Sequence, residues 1–348
     1  MKQSTVLFAV LCSLSNLTAR AATPSVDIPL NSIPLSASNS AAAAPSTPPA
    51  LDLPRGNGTT AAPNESEGDR FVTHAAKLFP QQYQTVEAKI RQRIDLFETP
   101  MIGSGMYVQQ SRGGELLSRL EMKLVLSNQQ LGSYLQVSDG NWLWTYQDQG
   151  AGAHALSKID LQRIRSAWER TDPWTRTGGI STLGLGGLPH LLDGLNQSFH
   201  FVQAEQAELG GLPVLIFRGT WQASKLAALL PDQKAALARG EAANLRDLPK
   251  QVPWVVELVL GRDDIFPYRV TYLRPAAGKE KKLGKASFAD QLAGCGPIVT
   301  LELFEVKLNA PIEGQPFVYQ PSGLEAIDKT EQTLKAFGLT EAPAPAAK

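Results

Sequence analysis

Residues 135–148, LQVSDGNWLWTYQD, set two runs rich in Leu, Val, Trp and Tyr on either side of Ser138-Asp139-Gly140-Asn141. An acidic residue between such flanks is either a carboxylate at a pocket mouth or the corner of a hairpin. Asp-Gly favours the corner, because glycine accepts positive φ and the aspartate side chain bonds nearby backbone. On this reading Leu135 and Val137 lie on one strand, Trp142, Trp144 and Tyr146 on the next, and Asp139 is structural.

The same two-residue period recurs outward from this hairpin. Val86, Ala88, Ile90, Ile94 and Leu96 alternate with Glu87, Lys89, Arg91, Arg93 and Asp95, and Leu120, Met122, Leu124 and Leu126 alternate with Arg119, Glu121 and Lys123. Each pattern describes a strand with one dry and one wet face. Trp254, Val256, Leu258 and Leu260 repeat it, as do Tyr268, Val270 and Tyr272, and 301–308 and 317–319 read as further strands. Turn signals fall at Gly113-Gly114, Gly210-Gly211 and Arg262-Asp263-Asp264. Helical patterns are fewer: 69–79 stopped by Pro80, 188–195 entered at Pro189, and 224–243 in two pieces broken at Pro231-Asp232. The expected class is α+β, one large antiparallel sheet with a few helices rather than βαβ units.

The ends of the chain read differently. Lys2, the apolar run 6–14 and Ala19-Arg20-Ala21 form the three parts of a secretory signal over 1–21, which implies a periplasmic or otherwise exported protein. Val10-Leu11 before Cys12 do not fit a lipid-attachment site. Removal of the signal leaves Cys295 as the single cysteine, which excludes an intramolecular disulfide and a cysteine zinc cluster. Residues 22–67 are dominated by Ala, Ser, Pro, Asn and Thr and read as a disordered linker, and 341–348 as a disordered tail. The folded domain is expected over 68–340.

Thirty-three basic and 33 acidic residues give zero net charge, which argues against nucleic acid as a partner. His74, His154, His190 and His200 show no metal-ligand spacing, so no metal is expected. Residues 183–188, LGLGGL, lack the Gly-Lys-Ser/Thr of a phosphate loop and the flanking strand of a dinucleotide fold, and read as a flexible connection or lid. There is no G-x-S-x-G elbow, and no pair of carboxylates stands out. Neither an enzyme nor a cofactor is expected. The large apolar residues on strand faces then admit two readings: an ordinary core under helices, or a concave apolar face that holds a hydrophobic ligand.

Several of these segments resemble one known family in matching order. Val137 to Tyr146 follows the V-S-D-G-x-x-L-W-x-Y segment of the periplasmic lipoprotein carriers of the LolA type. Val259-Leu260-Gly261-Arg262-Asp263 is similar to that family's strand and Gly-Arg-Asp turn. Residues 304–309 and Phe317-Val-Tyr-Gln-Pro-Ser-Gly323 to Asp328 are similar to its C-terminal signature, and 86–110 to its opening strand pair. The likeness spans about 80–328, with unmatched insertions near 157–200 and 222–250. It implies a strongly curved antiparallel sheet, an incomplete barrel, with helices over its concave face and a cavity for lipid or lipoprotein acyl chains. It also implies non-catalytic binding and transport in the cell envelope; a sensor or scaffold that signals to an envelope membrane protein is the alternative. The cavity candidates are Ile90, Ile94, Met106, Met122, Leu124, Leu135, Val137, Trp142, Trp144, Val256, Leu258 and Tyr268, in a monomer, with the helical insertions as lids. Gln109-Gln110-Ser111 stand where the carriers have an Arg-Pro used to pass lipoproteins onward, so no transfer residue carries over.

Overall fold

The computed structural model describes residues 66–96, 99–126, 129–148, 153–170, 183–276, 288–320 and 323–339. The signal 1–21, most of the linker and the tail lie outside them. The strands are β1 (Thr85–Ile94), β2 (Met101–Arg112), β3 (Glu115–Leu126), β4 (Gln129–Ser138), β5 (Trp142–Asp148), β6 (His154–Asp160), β7 (Phe199–Leu209), β8 (Leu212–Trp221), β9 (Val255–Gly261), β10 (Pro267–Pro275), β11 (Cys295–Leu308) and β12 (Ile327–Asp328). The helices are α1 (Glu67–Gln82), α2 (Leu161–Arg170), α3 (Leu183–Ser198), α4 (Ala223–Leu229), α5 (Lys234–Ala238), α6 (Phe288–Gly294) and α7 (Thr330–Ala336).

The hairpin signals hold. Gly113-Gly114 and Gly210-Gly211 take φ of 60° and 85°, and 58° and 87°. Two successive positive φ values make the tight turn whose twist matches paired strands. At the hairpin between β4 and β5, Asp139 Oδ1 accepts from the backbone N–H groups of Asn141 at 2.9 Å and Trp142 at 2.7 Å, beside Gly140 at φ 93°. Asp139 builds the turn.

All strands join one sheet in the order β12-β6-β5-β4-β3-β2-β1-β11-β10-β9-β8-β7. Only β12 on β6 is parallel. The order describes two meanders sewn together where the first long strand meets the last. The chain walks outward from β1 to β6, crosses to the far edge through α2 and α3, and walks back from β7 to β11. That crossing explains why helices lie against the sheet. It also goes with the curvature: α3 packs on β3 and β4, and α1, packed along α3, lies on β7, seven places from β3 in strand order. At about 4.8 Å per strand a flat sheet would separate β3 and β7 by roughly 34 Å, three times the width of a helix. The sheet therefore curls round α1 and α3 and stays open, because β12-β6 and β7 do not pair. This is the incomplete barrel that the resemblance implied. Gly105 marks one bend: a Cβ there would sit 1.7 Å from the Glu121 carbonyl oxygen, so the strand turns where no side chain fits.

Local chemistry fixes each helix. Ser66 caps α1 in a reciprocal box with Asp69, and Asp69 Oδ1 also accepts from Phe201 N at 2.7 Å. The helix start thus covers the exposed edge of β7. The helix continues through Pro80 to Gln82 rather than stopping there. Pro80 lies in the last turn, where its missing N–H forfeits a single bond to the Ala76 carbonyl, and Phe79 beside it is fully buried. The glycine-rich 183–188 is helical rather than a loose connection. It bends at Gly187, where φ is 62° and ψ −159°. Pro189 then opens the second helical piece, and Leu188 N–H is received by Gln109 Oε1 at 3.0 Å. Residues 317–319 form a turn segment rather than a strand: Tyr319 stacks on Trp144 with ring centres 5.3 Å apart instead of pairing its backbone.

Candidate functional site

Register sorts the twelve sequence-derived candidates by face. On the helix-covered side, Ile90 faces Gly105 on β2 and Gly105 faces Met122 on β3. Ile94 lies across from Val299, Val299 from Tyr272, and Tyr272 from Val256. Leu124, Leu258 and the half-buried Tyr268 join the same cluster, with the Tyr268 hydroxyl donating to Asp264 Oδ2 at 2.6 Å. These seven are brought together. The other five are on the opposite face. Met106 pairs with Lys89 and Glu121, and Val137 with Arg119 and Trp144. Leu135 pairs with Glu121 and Tyr146, and Trp142 with Asp160. There Lys158 Nζ sits 4.6 Å from the Trp142 ring centre, and Arg119 donates to the Pro316 carbonyl at 3.1 Å. The aromatics of β5 and the 316–319 segment form an outer layer.

The inner apolar face is occupied. Val72, Ala75 and Phe79 of α1, Leu188, Leu191, Leu192 and Leu195 of α3, and Leu226 of α4 pack in one cluster with Ile90, Met122 and Leu258. Leu230, Leu245 and Leu248 of the 222–250 insertion are part of the same core.

A cavity of about 440 Å³ opens elsewhere on the concave side, within the range of about 300–1,000 Å³ usual for ligand sites. Its walls come from α1 (Thr73, Ala76, Lys77), β3 and β4 (Leu116, Ser118, Ser138), α2 (Leu161, Ile164, Arg165, Trp168, Glu169), α3 (Gly184–Gly186, Pro189, His190, Asp193, Asn196) and Phe337 after α7. None of the twelve candidates lines it. The lining is mostly apolar, and one wall is aromatic, with Trp168 set edge-on to both His190 at 5.1 Å and Phe337 at 6.2 Å. Along the edge of this apolar space stand Lys77, Arg165, Glu169 and Asp193. Asp193 accepts from Gln197 at 2.6 Å and Arg165 donates to the Gly140 carbonyl at 2.7 Å. Among the described residues neither Lys77 nor Arg165 forms an ion pair.

The space exists because of sequence features that composition alone does not reveal. The inner face is interrupted by polar residues at the Ser118 end of β3 and along β4–β6: Ser118, Gln136, Ser138, Thr145 and Ser157 are all buried there, beside Leu120, Met122 and Leu143 on the same face. Opposite them α3 presents Gly184 and Gly186. A Cβ on Gly184 would lie 2.4 Å from Gln136 Oε1, so the helix comes close here without side chains to fill the gap beside it. Interruption of the apolar alternation at Ser118 and Ser138 was the available signal. Chemically, the site can hold an apolar chain and a polar group. Neither serine has a histidine or carboxylate hydrogen-bond partner among the described residues, so neither is an activated nucleophile. No group of three His, Cys, Asp or Glu suited to a metal occurs among the described residues, and no described helix is long and apolar enough to cross a membrane.

No family model matches the chain, and no curated protein matches it. Solved structures are similar at low identity. A DUF1329 family protein from Desulfovibrio piger has 10% identity and a TM-score of 0.32 over 73% of this chain and 98% of that one. LprF from Mycobacterium bovis has 11% identity and a TM-score of 0.34, covering 70% and 94%. The lipoprotein LppX from Mycobacterium tuberculosis has 11% identity and a TM-score of 0.32, covering 70% and 97%. Similarity at this level carries no functional argument, and the function has to be read from the cavity itself.

Proposed function

We propose that this protein is a non-catalytic binder of amphiphiles that carry an acyl chain, acting in the cell envelope to hold and move them. The observation that carries this reading is the 440 Å³ cavity between α1, α2, α3 and the β3–β4 face, with its apolar walls and charged edge. Each methylene removed from water contributes about 0.8 kcal/mol, so an eight-carbon stretch supplies roughly 6 kcal/mol without any reacting group. The secretory signal read in the sequence supports an exported location, where such ligands are abundant.

The test uses the mature chain and a fluorescent fatty acid, with native mass spectrometry of the protein as purified. Wild type is expected to retain or take up one acyl ligand. Ala76→Phe, which projects a ring from α1 into the cavity, is expected to weaken uptake at least tenfold while the protein stays folded. Absence of uptake by wild type, or equal uptake by the folded variant, would overturn the proposal.

A further inference from the structure

Ser118 and Ser138 lie directly opposite each other on β3 and β4, both on the inner face and both lining the cavity. They are 3% and 2% exposed, yet their hydroxyls are poorly satisfied. The Ser118 hydroxyl makes no hydrogen bond among the described residues. The Ser138 hydroxyl reaches only the Leu116 carbonyl, at 3.4 Å, beyond the usual range for O–H···O. Neither hydroxyl is sealed off like that of Tyr272; both residues face the cavity, where their remaining hydrogen-bonding capacity is open to whatever occupies it.

A third donor belongs to the same corner. Arg165 lines the cavity from α2 and is tied by one N–H to the carbonyl of Gly140, two residues beyond Ser138 on the same hairpin. A guanidinium has five N–H donors, and the half-buried Arg165 has no carboxylate partner among the described residues. The nearest acid on its own helix, Glu169, is exposed one turn further on and is not paired with it; Asp193, on α3, is engaged by Gln197. This corner therefore gathers three donor side chains, with the cavity's carboxylates, Glu169 and Asp193, coming from α2 and α3 and forming no ion pair with Arg165 among the described residues.

We propose that Ser118, Ser138 and Arg165 form an oxyanion pocket that receives the terminal carboxylate or monophosphate of a single-chain amphiphile, with the chain lying along the apolar wall toward Trp168. An oxyanion supplies only acceptors and meets this donor set through charge-assisted bonds. A neutral alcohol of equal chain length leaves the guanidinium uncompensated. The assignment rests on the amphiphile reading of the same cavity.

The experiment is titration calorimetry of the mature protein with laurate, dodecyl phosphate and dodecanol. Wild type is expected to bind at least one of the two anions tenfold or more tighter than dodecanol; which anion is tighter identifies the headgroup. Ser118→Ala/Ser138→Ala and, separately, Arg165→Gln are expected to remove that preference, so that in each variant the anions bind no tighter than dodecanol. Arg165→Lys, which keeps the charge, is expected to restore part of it. Circular dichroism confirms the fold of each variant, and Arg165, half-buried where the serines are buried, makes its substitutions the safer pair. Equal binding of all three ligands by wild type, or a preference that survives both changes, would overturn the oxyanion pocket alone. Binding of none of them would overturn the amphiphile reading as well.

Discussion

Gly187 offers the sharpest test of how α3 is held against the sheet. Its φ of 62° with ψ of −159° belongs to a region populated almost only by glycine, where other residues cost about 1–3 kcal/mol. Space is also lacking. A Cβ would lie 2.4 Å from Gln109 Oε1, 2.6 Å from Leu116 Cδ2 and 2.8 Å from the Tyr107 hydroxyl. Gln109 Oε1 is the shared acceptor of Tyr107 Oη at 2.7 Å and Leu188 N at 3.0 Å, and all three residues are buried. Moving the amide aside strands two buried donors, each at about 1–3 kcal/mol. Allowing for partial relaxation, Gly187→Ala should cost roughly 3–6 kcal/mol, a large fraction of a stability of about 5–15 kcal/mol. The melting temperature should fall by roughly 6–24 °C, at about 2–4 °C per kcal/mol for a domain of this size. Urea unfolding followed by tryptophan fluorescence measures the same loss. Gly113→Ala is the control: its φ is 60° but its Cβ would meet nothing within 4 Å, so only the backbone term of about 1–2 kcal/mol applies. If Gly187→Ala costs no more than Gly113→Ala, the Gln109 cap is not what positions α3.

Two other residues make separate predictions. The Tyr272 hydroxyl is fully buried and has no hydrogen-bond partner among the described residues, and burial pushes its phenol far above the usual range; Tyr272→Phe should therefore raise stability by about 1 kcal/mol, and a comparable loss in urea unfolding would show that the hydroxyl is bonded after all. Burial raises the Cys295 thiol to about 11, against a smaller lowering from Arg274. Because the thiolate is the reactive form and the raised value keeps it scarce, about one molecule in a thousand at pH 8, alkylation by iodoacetamide should be slow at neutral pH. Its rate should still be climbing between pH 9 and 10, whereas a rate that levels off near pH 9 would indicate an ordinary, solvated thiol.

Much of the fold was legible because strand faces announce themselves through alternation. Arg119, Glu121 and Lys123 could only face water, which fixed Leu120, Met122 and Leu124 inward, and the glycine pairs located the turns. On β5 the same logic gave the wrong emphasis. Trp142, Trp144 and Tyr146 are its largest side chains, yet they share a face with Lys158 and, through Val137, with Arg119. Register decides the face, and a slip of one residue reverses it; size does not. The inward residues of β5 are Leu143 and Thr145, small enough to pass as the outer set. Of their aromatic neighbours, Trp144 is half-buried where Tyr319 returns across it, a long-range contact that nothing local in the sequence encodes.

The division of labour within the sheet follows from the same accounting of faces. On β7–β11 and β1–β2 the inner face is apolar nearly throughout, and a curved apolar surface is most stable when helices fill it. The leucines of α3 and the Phe79 side of α1 do so, which leaves that half as core. On β3–β6 the inner face carries Ser118, Ser138, Gln136, Thr145 and Ser157, which gain little from apolar contact, and the overlying helix supplies glycines instead of leucines. Helix and sheet are held at a fixed distance by backbone and amide contacts, at Gln109 on Leu188 and at Gln136 beside Gly184, while the volume between them is not filled. A binding cavity in this architecture therefore forms where the apolar alternation fails. Ser118→Leu would convert that corner into more core at the expense of the site, whereas Gly186 admits no side chain, because its Cβ would lie 2.6 Å from His190 Cβ.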